Sequence, residues 1–370
     1  MSSRLCIICV WLSFITLLVM GIVMVASTGM CVHENGMEPA DFPIRQSLFA
    51  TLGLTGAIVL ACIDYHIWRR WSWVLWGGCC FLLFLCYMPY VGVELNGEHR
   101  WVKIGLQFQP SELSKLPIMM LMAHWYTTHR EMAGTFVRGF VLPGIIFAVP
   151  LGLILFEKDM GTAAALAAAG ICVMYVAGAR GWLLTMVIVV GAMVLIDQAT
   201  GSANRMERIY AWFDPQAFSQ GAGRQQWCAI LAFARGGIFG VGLGDGIEKY
   251  GSLPYAHTDF IFAEVGEEWG FVGTMGVLFL FTMLTISGIM LALRTHDTFG
   301  RILAVGVVAT IFWTAVLNMS VVSSLLPNSG LPLPFISFGG SNLVFTIAGI
   351  GILTSIQRFS PLAQENIYPK

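Results

Sequence analysis

Long apolar stretches recur along almost the whole chain and are separated by shorter polar segments. A helix needs about 20 apolar residues to cross the hydrocarbon core of a bilayer. The pattern predicts ten such helices, near residues 7–29, 46–66, 72–92, 111–128, 139–156, 160–178, 182–198, 258–292, 301–322 and 339–357. The eighth stretch is too long for a simple crossing. It must tilt, break between Gly270 and Gly273, or begin outside the bilayer.

The composition agrees with this pattern. The chain is 57% hydrophobic and 11% charged, whereas soluble proteins carry about 25% charged residues. This excludes a soluble enzyme with an ordinary surface. We predict an all-α polytopic membrane protein that forms one integral membrane domain over residues 1–370. The net charge of −1 gives no reason to expect a nucleic-acid partner.

Loop charges suggest an orientation. With the N-terminus in the cytoplasm, every short inner loop carries at least one arginine, as cytoplasmic loops do. Of the 21 acidic residues, the inner segments hold Asp64, Glu131, Asp297 and Glu365. We therefore predict that both termini are cytoplasmic. One long extracytoplasmic loop, about 199–256, then joins spans seven and eight, and we expect it to be ordered.

The start of the eighth stretch concentrates ionisable side chains. Asp259, Glu264, Glu267 and Glu268 follow His257 at the mouth of an apolar run. An ionisable group within a span costs about 2.5–3.5 kcal/mol, so these residues are hard to explain as packing. We expect Asp259 in the first helical turn, within a water-filled cavity. The deeper glutamates would hold neighbouring helices or the cavity floor.

Three other segments carry distinctive residues. Asn96-Gly97 predicts a turn, and the region after it contains the cation-aromatic pair Arg100-Trp101. Farther along, Glu112 and Lys115 are three apart at the start of the fourth span and can touch. Asp159 precedes a helix of small residues. The Pro- and Gly-rich segment 326–341 predicts irregular backbone, which survives at membrane depth only when it lines a cavity or is buried in protein.

Together these motifs resemble the SEDS family, the RodA, FtsW and SpoVE relatives, over about residues 90–357. The motifs that carry the resemblance are Phe108-Gln-Pro-Ser-Glu-Leu-Ser-Lys115, Lys158-Asp-Met-Gly-Thr162, His257-Thr-Asp-Phe-Ile-Phe262 and Pro334-Phe-Ile-Ser-Phe-Gly-Gly-Ser341. The Gly-rich run from Ala234 to Gly244 is closer to the FtsW-like branch. The sequence departs from the family at Lys158, where proline is common, and at Tyr255, where glutamate is common.

The resemblance implies ten transmembrane helices and a peptidoglycan glycosyltransferase. Such an enzyme polymerises lipid II, an undecaprenyl-pyrophosphate disaccharide pentapeptide, on the outer face of the bacterial cytoplasmic membrane. It works in the lipid bilayer beside a class B penicillin-binding transpeptidase, in cell division or elongation. The resemblance makes Asp259 the catalytic aspartate. It also marks residues that the family needs for activity: Arg100, Trp101, Glu112, Lys115 and Asp159.

This chemistry needs a base and positive charge. Asp259 would take the proton from the acceptor GlcNAc 4-hydroxyl. Candidates to stabilise the leaving pyrophosphate are Arg100, Lys115, Arg205, Arg208 and Arg235. The sequence contains no metal-ligand spacing, so no cofactor is predicted with certainty. A divalent cation, Mg²⁺ or Mn²⁺, held through substrate phosphates stays open.

Structural interpretations compete with these roles. Asp259 could be a helix cap, Glu112 with Lys115 a buried ion pair, and Asp159 a turn stabiliser. Trp101 could be an interface anchor, and His257 could cap the helix or orient Asp259 rather than contact substrate. Two other functions also remain: a flippase for lipid-linked precursors, and a non-catalytic scaffold that recruits a transpeptidase.

Overall fold

The computed structural model describes residues 2–29, 40–88, 91–95, 98–104, 106–200, 203–250, 253 and 256–360. These residues are mostly helical. The helices are α1 (Ser3–Gly29), α2 (Asp41–Cys62), α3 (His66–Leu85), α4 (Pro110–Thr128), α5 (Leu142–Phe156), α6 (Met160–Val176), α7 (Gly181–Thr200), α8 (Ala203–Phe213), α9 (Arg224–Gly236), α10 (Ile261–Glu268), α11 (Gly270–Arg294), α12 (Thr298–Val322) and α13 (Gly340–Phe359).

Each of the ten predicted stretches coincides with a helix, which confirms the polytopic helical fold. A π-helical turn, Val137–Val141, extends α5. Among the described residues, six helices are long and apolar enough to cross a membrane, namely α1, α2, α5 with its π-helical turn, α11, α12 and α13. The exact number of crossings therefore stays a prediction.

Of the three alternatives for the eighth stretch, the structure shows the break. Helix α10 ends at Glu268 and α11 begins at Gly270. Gly270 has a φ of +66°, a region that side chains other than glycine rarely adopt. A Cβ at this position would also lie 2.3 Å from the backbone nitrogen of Gly240. Glycine at this position allows the chain to turn between the two helices.

The region before α4 forms a small sheet, which the all-helical prediction missed. Strands β1 (Gly92–Leu95), β2 (Glu98–Ile104) and β3 (Leu106–Phe108) pair antiparallel in the order β1-β2-β3. Trp101 pairs with Val93 across the first ladder, and Val102 is fully buried. The predicted Asn96-Gly97 turn lies between β1 and β2 but outside the described residues.

Helix α12 forms the centre of the bundle, and most of its residues are buried. It packs against α4, α6, α11 and α13, while α1 packs on α11 and α2 on α13. The Trp11 indole donates to Thr354 Oγ1 at 3.0 Å. The start of α1 and the end of α13 thus share one end of the bundle, as predicted. Which side of the membrane that end faces stays a prediction.

The described part of the long loop is ordered, as predicted. It contains α8 and α9, and α9 packs on α10. The Trp212 indole donates to the carbonyl of Ser324 at 2.9 Å, and the Gln226 amide donates to the carbonyl of Leu326 at 2.9 Å. The loop is therefore fastened to the irregular segment that joins α12 to α13.

Candidate functional site

Asp259 lies in a turn at residues 256–260, immediately before α10. The prediction that it occupies the first helical turn is wrong by a few residues, because α10 begins only at Ile261. Phe260 holds the N-cap position, so neither Asp259 nor His257 is the residue that caps the helix. The side chain of Asp259 is half-buried, as suits a group that must reach both solvent and a bound molecule.

The turn is held by residues that are distant in sequence. Asn318 of α12 is 1% exposed. Its amide nitrogen donates to the carbonyl of Asp259 at 2.8 Å and to that of Leu331 at 2.5 Å. Ser337 donates through its hydroxyl to the carbonyl of Thr258 at 2.6 Å. Asp259 is thus fixed between α12 and residues 323–339, which we call the site segment.

The site segment also lies close to the carboxylate itself. Gly330 has a φ of +66°, and a Cβ at this position would lie 3.4 Å from Oδ2 of Asp259. A Cβ on Gly161, in the first turn of α6, would lie 2.9 Å from the carbonyl oxygen of Ser329. The N-terminus of α6 and the Asp259 turn therefore approach the same short stretch of backbone.

Asp159 is the N-cap of α6. Its Oδ1 accepts from the backbone nitrogen of Thr162 at 3.1 Å, and its Oδ2 accepts from the side-chain amide of Gln109 at 3.0 Å. The backbone nitrogen of Gln109 donates to Ser341 Oγ at 3.1 Å. These contacts agree with a turn-stabilising role for Asp159. Gln109 was not predicted as a site residue, because its partners become adjacent only in the fold.

Arg100 joins the sheet to the same region. Its guanidinium donates to the carbonyl of Lys158 at 2.7 Å, next to Asp159. Lys158 has a φ of +61°, which proline cannot adopt. The turn between α5 and α6 therefore has a conformation that relatives with proline at this position cannot share. Trp101, one residue farther along β2, is half-buried.

Glu157, at the C-terminal end of α5, is a buried carboxylate that was not predicted as a site residue. It is 1% exposed, and neither of its carboxylate oxygens accepts a hydrogen bond of ordinary geometry among the described residues. Burial raises the pKa of Glu157 to about 8, while the Cys86 thiol beside it acts in the opposite direction. The only signal in the sequence is an acidic residue directly after an apolar run.

His257 is buried in an aromatic cluster. Its ring lies edge-on to Phe42 and Phe338, with centroid distances of 5.2 Å and 5.8 Å. Burial lowers the pKa of His257 to about 4, so the imidazole is neutral at pH 7. Its carbonyl accepts from the backbone nitrogen of Phe338 at 2.9 Å. These contacts favour a packing role, and the predicted substrate contact stays untested.

Glu112 and Lys115 form the buried ion pair that was the structural alternative. Their Oε1 and Nζ atoms are 2.7 Å apart, and the side chains are 2% and 7% exposed. The pair lines a cavity of about 20 Å³ together with Thr310, Thr314 and Thr346. A cavity of this size holds about one water molecule. A direct substrate contact for either residue stays a prediction.

The acidic residues of α10 hold the neighbouring loop, as predicted for an architectural role. The two carboxylate oxygens of Glu267 accept from the backbone nitrogens of Ile247 and Glu248, at 3.0 Å and 3.2 Å. Lys249 Nζ lies 2.5 Å from Glu268 Oε1, and Ser27 of α1 donates to the same oxygen at 2.6 Å. The cluster ties α1, α10 and the loop after α9 together.

Glu264 lies on the same short helix but lacks such contacts. It is fully buried, and both of its oxygens lack a hydrogen-bond partner among the described residues. Burial, followed by the negative charges of Glu267 and Glu268, raises the pKa of Glu264 to about 8.

The predicted cations differ in their surroundings. Arg235 pairs with Glu248, and its Nη1 also lies 3.9 Å from Glu267 Oε1. The side chains of Arg205 and Arg208 lie outside the described part of the structure. The structure thus gathers Asp259, Asp159 and Arg100 around the α6 N-terminus and the site segment, whereas Arg235 belongs to the cluster on α10. No group of three metal-ligating side chains occurs among the described residues.

The chain is similar to known proteins over nearly its whole length. A family described as cell cycle proteins, FtsW/RodA/SpoVE, matches residues 7–361. The chain is 38% identical over 345 residues to a probable peptidoglycan glycosyltransferase FtsW from Trichlorobacter lovleyi, covering 93% of this chain and 91% of the relative. It is 35% identical over 347 residues to stage V sporulation protein E from Bacillus subtilis, covering 93% and 94%.

Solved structures are similar over nearly the whole chain. A chain of a peptidoglycan synthase complex, studied for its structural coordination of polymerization and crosslinking, is 27% identical with a TM-score of 0.77, covering 94% of this chain and 96% of that one. The rod shape determining protein RodA from Thermus thermophilus is 27% identical with a TM-score of 0.70, covering 95% and 96%. The family match, the curated relatives and the shared fold all coincide, and this chain therefore belongs to the FtsW/RodA/SpoVE family.

Proposed function

We propose that this chain is a peptidoglycan glycosyltransferase that polymerises lipid II, with Asp259 as the general base. The observation that carries the proposal is a half-buried carboxylate on a turn fixed by Asn318 and the site segment. The relatives named as probable peptidoglycan glycosyltransferases support the reaction class.

The reaction is a single displacement. The Asp259 carboxylate accepts the proton of the acceptor GlcNAc 4-hydroxyl as that oxygen attacks the anomeric carbon of the donor sugar. The bond from that carbon to the pyrophosphate breaks, and undecaprenyl pyrophosphate leaves with the electron pair. General base catalysis of this kind contributes about 10²–10⁴-fold to the rate.

The leaving pyrophosphate needs positive charge. Lys115 and Arg235 each pair with a carboxylate, Glu112 and Glu248 respectively, which makes them weaker candidates. Arg100 is oriented beside Asp159 through the carbonyl of Lys158, and its planar guanidinium can bind two oxygens at once. Arg205 and Arg208 stay candidates. Whether Mg²⁺ or Mn²⁺ assists is decided by measuring polymerisation with and without each ion.

The proposed location is the bacterial cytoplasmic membrane, with the site on its outer face beside a class B penicillin-binding transpeptidase. The excess of acidic residues in the predicted outer segments supports this side. The similarity to a chain of a peptidoglycan synthase complex supports a partner that crosslinks glycan strands. Because the polar residues gather at one end of the bundle, an enzyme explains them better than a flippase with a midplane site.

The test is polymerisation of purified lipid II by the full-length protein with its transpeptidase partner. We expect Asp259→Asn to lower the rate of glycan formation by about 10²-fold or more. Asp297→Asn is a matched control, because Asp297 is also half-buried but caps α12, and it should retain activity. Equal rates for wild type and Asp259→Asn would refute the base assignment. Lipid II translocation without polymer would instead indicate a flippase.

A further inference from the structure

The chain between α9 and the Asp259 turn contains a glycine-rich loop, residues 237–247, with an unusual surface. Its large apolar side chains point outwards: Ile238 is 63% exposed, Phe239 82%, Leu243 57% and Ile247 57%. The proposed reaction uses none of these residues. Such a concentration of exposed apolar side chains marks an interaction surface.

This surface is continuous with the exposed face of a membrane helix. The carbonyls of Gly237 and Ile238 accept from the backbone nitrogens of Phe271 and Val272, at 2.9 Å and 3.1 Å, in the first turn of α11. Phe271 and Val272 are themselves 59% and 55% exposed. Helix α11 is one of the candidate spans. The loop therefore extends the exposed apolar face of a candidate membrane span.

Several backbone groups of the loop are hydrogen-bonded within the protein, which favours contact with lipid. Polar backbone groups in contact with hydrocarbon must be hydrogen-bonded within the protein. The nitrogens of Gly240, Val241 and Gly242 donate to the carbonyls of Gly236, Glu267 and Glu268, at 2.7 Å, 3.0 Å and 3.1 Å. The nitrogen of Ile247 donates to the Glu267 carboxylate at 3.0 Å, and Lys249 donates to the carbonyl of Gly244 at 2.8 Å.

Glycine allows the loop to lie this close to α10. Gly240 has a φ of +82°, and a Cβ there would lie 2.1 Å from the carbonyl oxygen of Glu268. The buried carboxylates of α10 thus stay beneath the loop while its apolar side chains face outwards. The arrangement is the reverse of a phosphate-binding loop, in which glycine nitrogens point at the ligand.

We propose that the glycine-rich loop inserts Ile238, Phe239 and Leu243 into the acyl chains of the leaflet around the N-terminal end of α11. The occupant of this surface is phospholipid. Asp245, an exposed acidic residue of the loop, then lies at the level of the headgroups. Because α10 is bonded to the loop, insertion fixes the depth of the Asp259 turn relative to the headgroups of lipids in the same leaflet.

The test is photocrosslinking with p-benzoylphenylalanine in place of Phe239, in the full-length protein in nanodiscs of phosphatidylethanolamine and phosphatidylglycerol. The same amino acid in place of Phe279, 64% exposed on α11, gives the yield of a lipid-facing position. Its incorporation at Gln216, an exposed polar residue between α8 and α9, gives the background. Phospholipid adducts are measured by mass spectrometry of the purified protein.

We expect the adduct yield at position 239 to be close to that at 279 and at least several-fold above that at 216. Position 243 serves as a second probe if the change at 239 disturbs folding. A yield closer to that of position 216 overturns the proposal, as does a crosslink in cells to a protein in place of lipid. Adduct formation requires no turnover, so this result is independent of the proposed catalytic role of Asp259.

Discussion

Asn318 provides a direct test of how the site is built, because its side chain hydrogen-bonds two separate segments of irregular backbone. In the variant Asn318→Leu, an apolar side chain of similar size replaces the amide. The carbonyl of Leu331 then loses its donor at a buried position, and the carbonyl of Asp259 loses one at a part-buried position. Leaving a buried acceptor unsatisfied costs about 1–3 kcal/mol, and the Leu331 carbonyl alone accounts for a cost of this size.

That cost falls on the turn that carries Asp259. A free-energy difference of about 1.4 kcal/mol corresponds to a tenfold change in an equilibrium. We expect Asn318→Leu to lower lipid II polymerisation by about tenfold or more and to lower the temperature of thermal unfolding in detergent. Both quantities are measured on full-length protein with its transpeptidase partner present in the activity assay.

Asn342→Leu is the matched control. Asn342 is also a buried asparagine in a membrane helix, but the bond that its side chain accepts among the described residues comes from Thr346 in the same helix, at 2.9 Å. Loss of this bond should cost about 0.5–1.5 kcal/mol and leave the Asp259 turn in place. If Asn318→Leu matched the control in both activity and unfolding temperature, the positioning role of Asn318 would be refuted.

Three further changes probe neighbouring features. Gly330→Ala places a methyl group 3.4 Å from Asp259 Oδ2 at a φ of +66°, a backbone conformation that costs about 1–2 kcal/mol with a side chain. We expect the rate of lipid II polymerisation to fall by more than the loss of stability explains. A loss of stability with an unchanged rate would contradict a close approach of Gly330 to the carboxylate. Burial raises the pKa of Glu157 from 4.5 to about 8. Between these pH values only the folded state keeps the proton, so the free energy of unfolding falls by about 1.4 kcal/mol per pH unit as the pH rises. Glu157→Gln should flatten this decline between pH 6 and pH 8 in thermal unfolding, and an unchanged slope would contradict the raised pKa. Lys249→Met leaves the carboxylate of Glu268 buried without its cation and should lower the free energy of unfolding by about 3–5 kcal/mol. Adding Glu268→Gln should restore most of this loss. If it restored none, the broken ion pair would not be the cause.

The ten long helical stretches could be predicted because each is a run of about 20 mostly apolar residues. The break near Gly270 was one of three alternatives that the length of the eighth run left open. The sheet was not predicted. Its strands have four, seven and three residues, and such short segments carry little periodic signal beside long apolar helices.

The residues that surround the site could not be predicted as well from the sequence. Asp259 could be singled out by its type and position, but its fixed geometry comes from Asn318, 59 residues away, and from the site segment. Gln109 and Asp159 are 50 residues apart and meet only in the fold. For Arg235 the sequence predicted an available cation, whereas for Lys115 it left an ion pair with Glu112 open. The structure pairs each cation with a carboxylate that is itself buried, Glu248 and Glu112 respectively, and a buried charge without a partner is costly.

The two orphaned carboxyls, Glu157 and Glu264, also alter the electrical character of the whole protein. With pKa values of about 8, both are mostly protonated at pH 7. The formal charge of −1 counts both as anions, so the folded protein is less negative than its composition indicates. The predicted topology places both residues on the outer side, where a less negative protein would repel a polyanionic diphosphate lipid less.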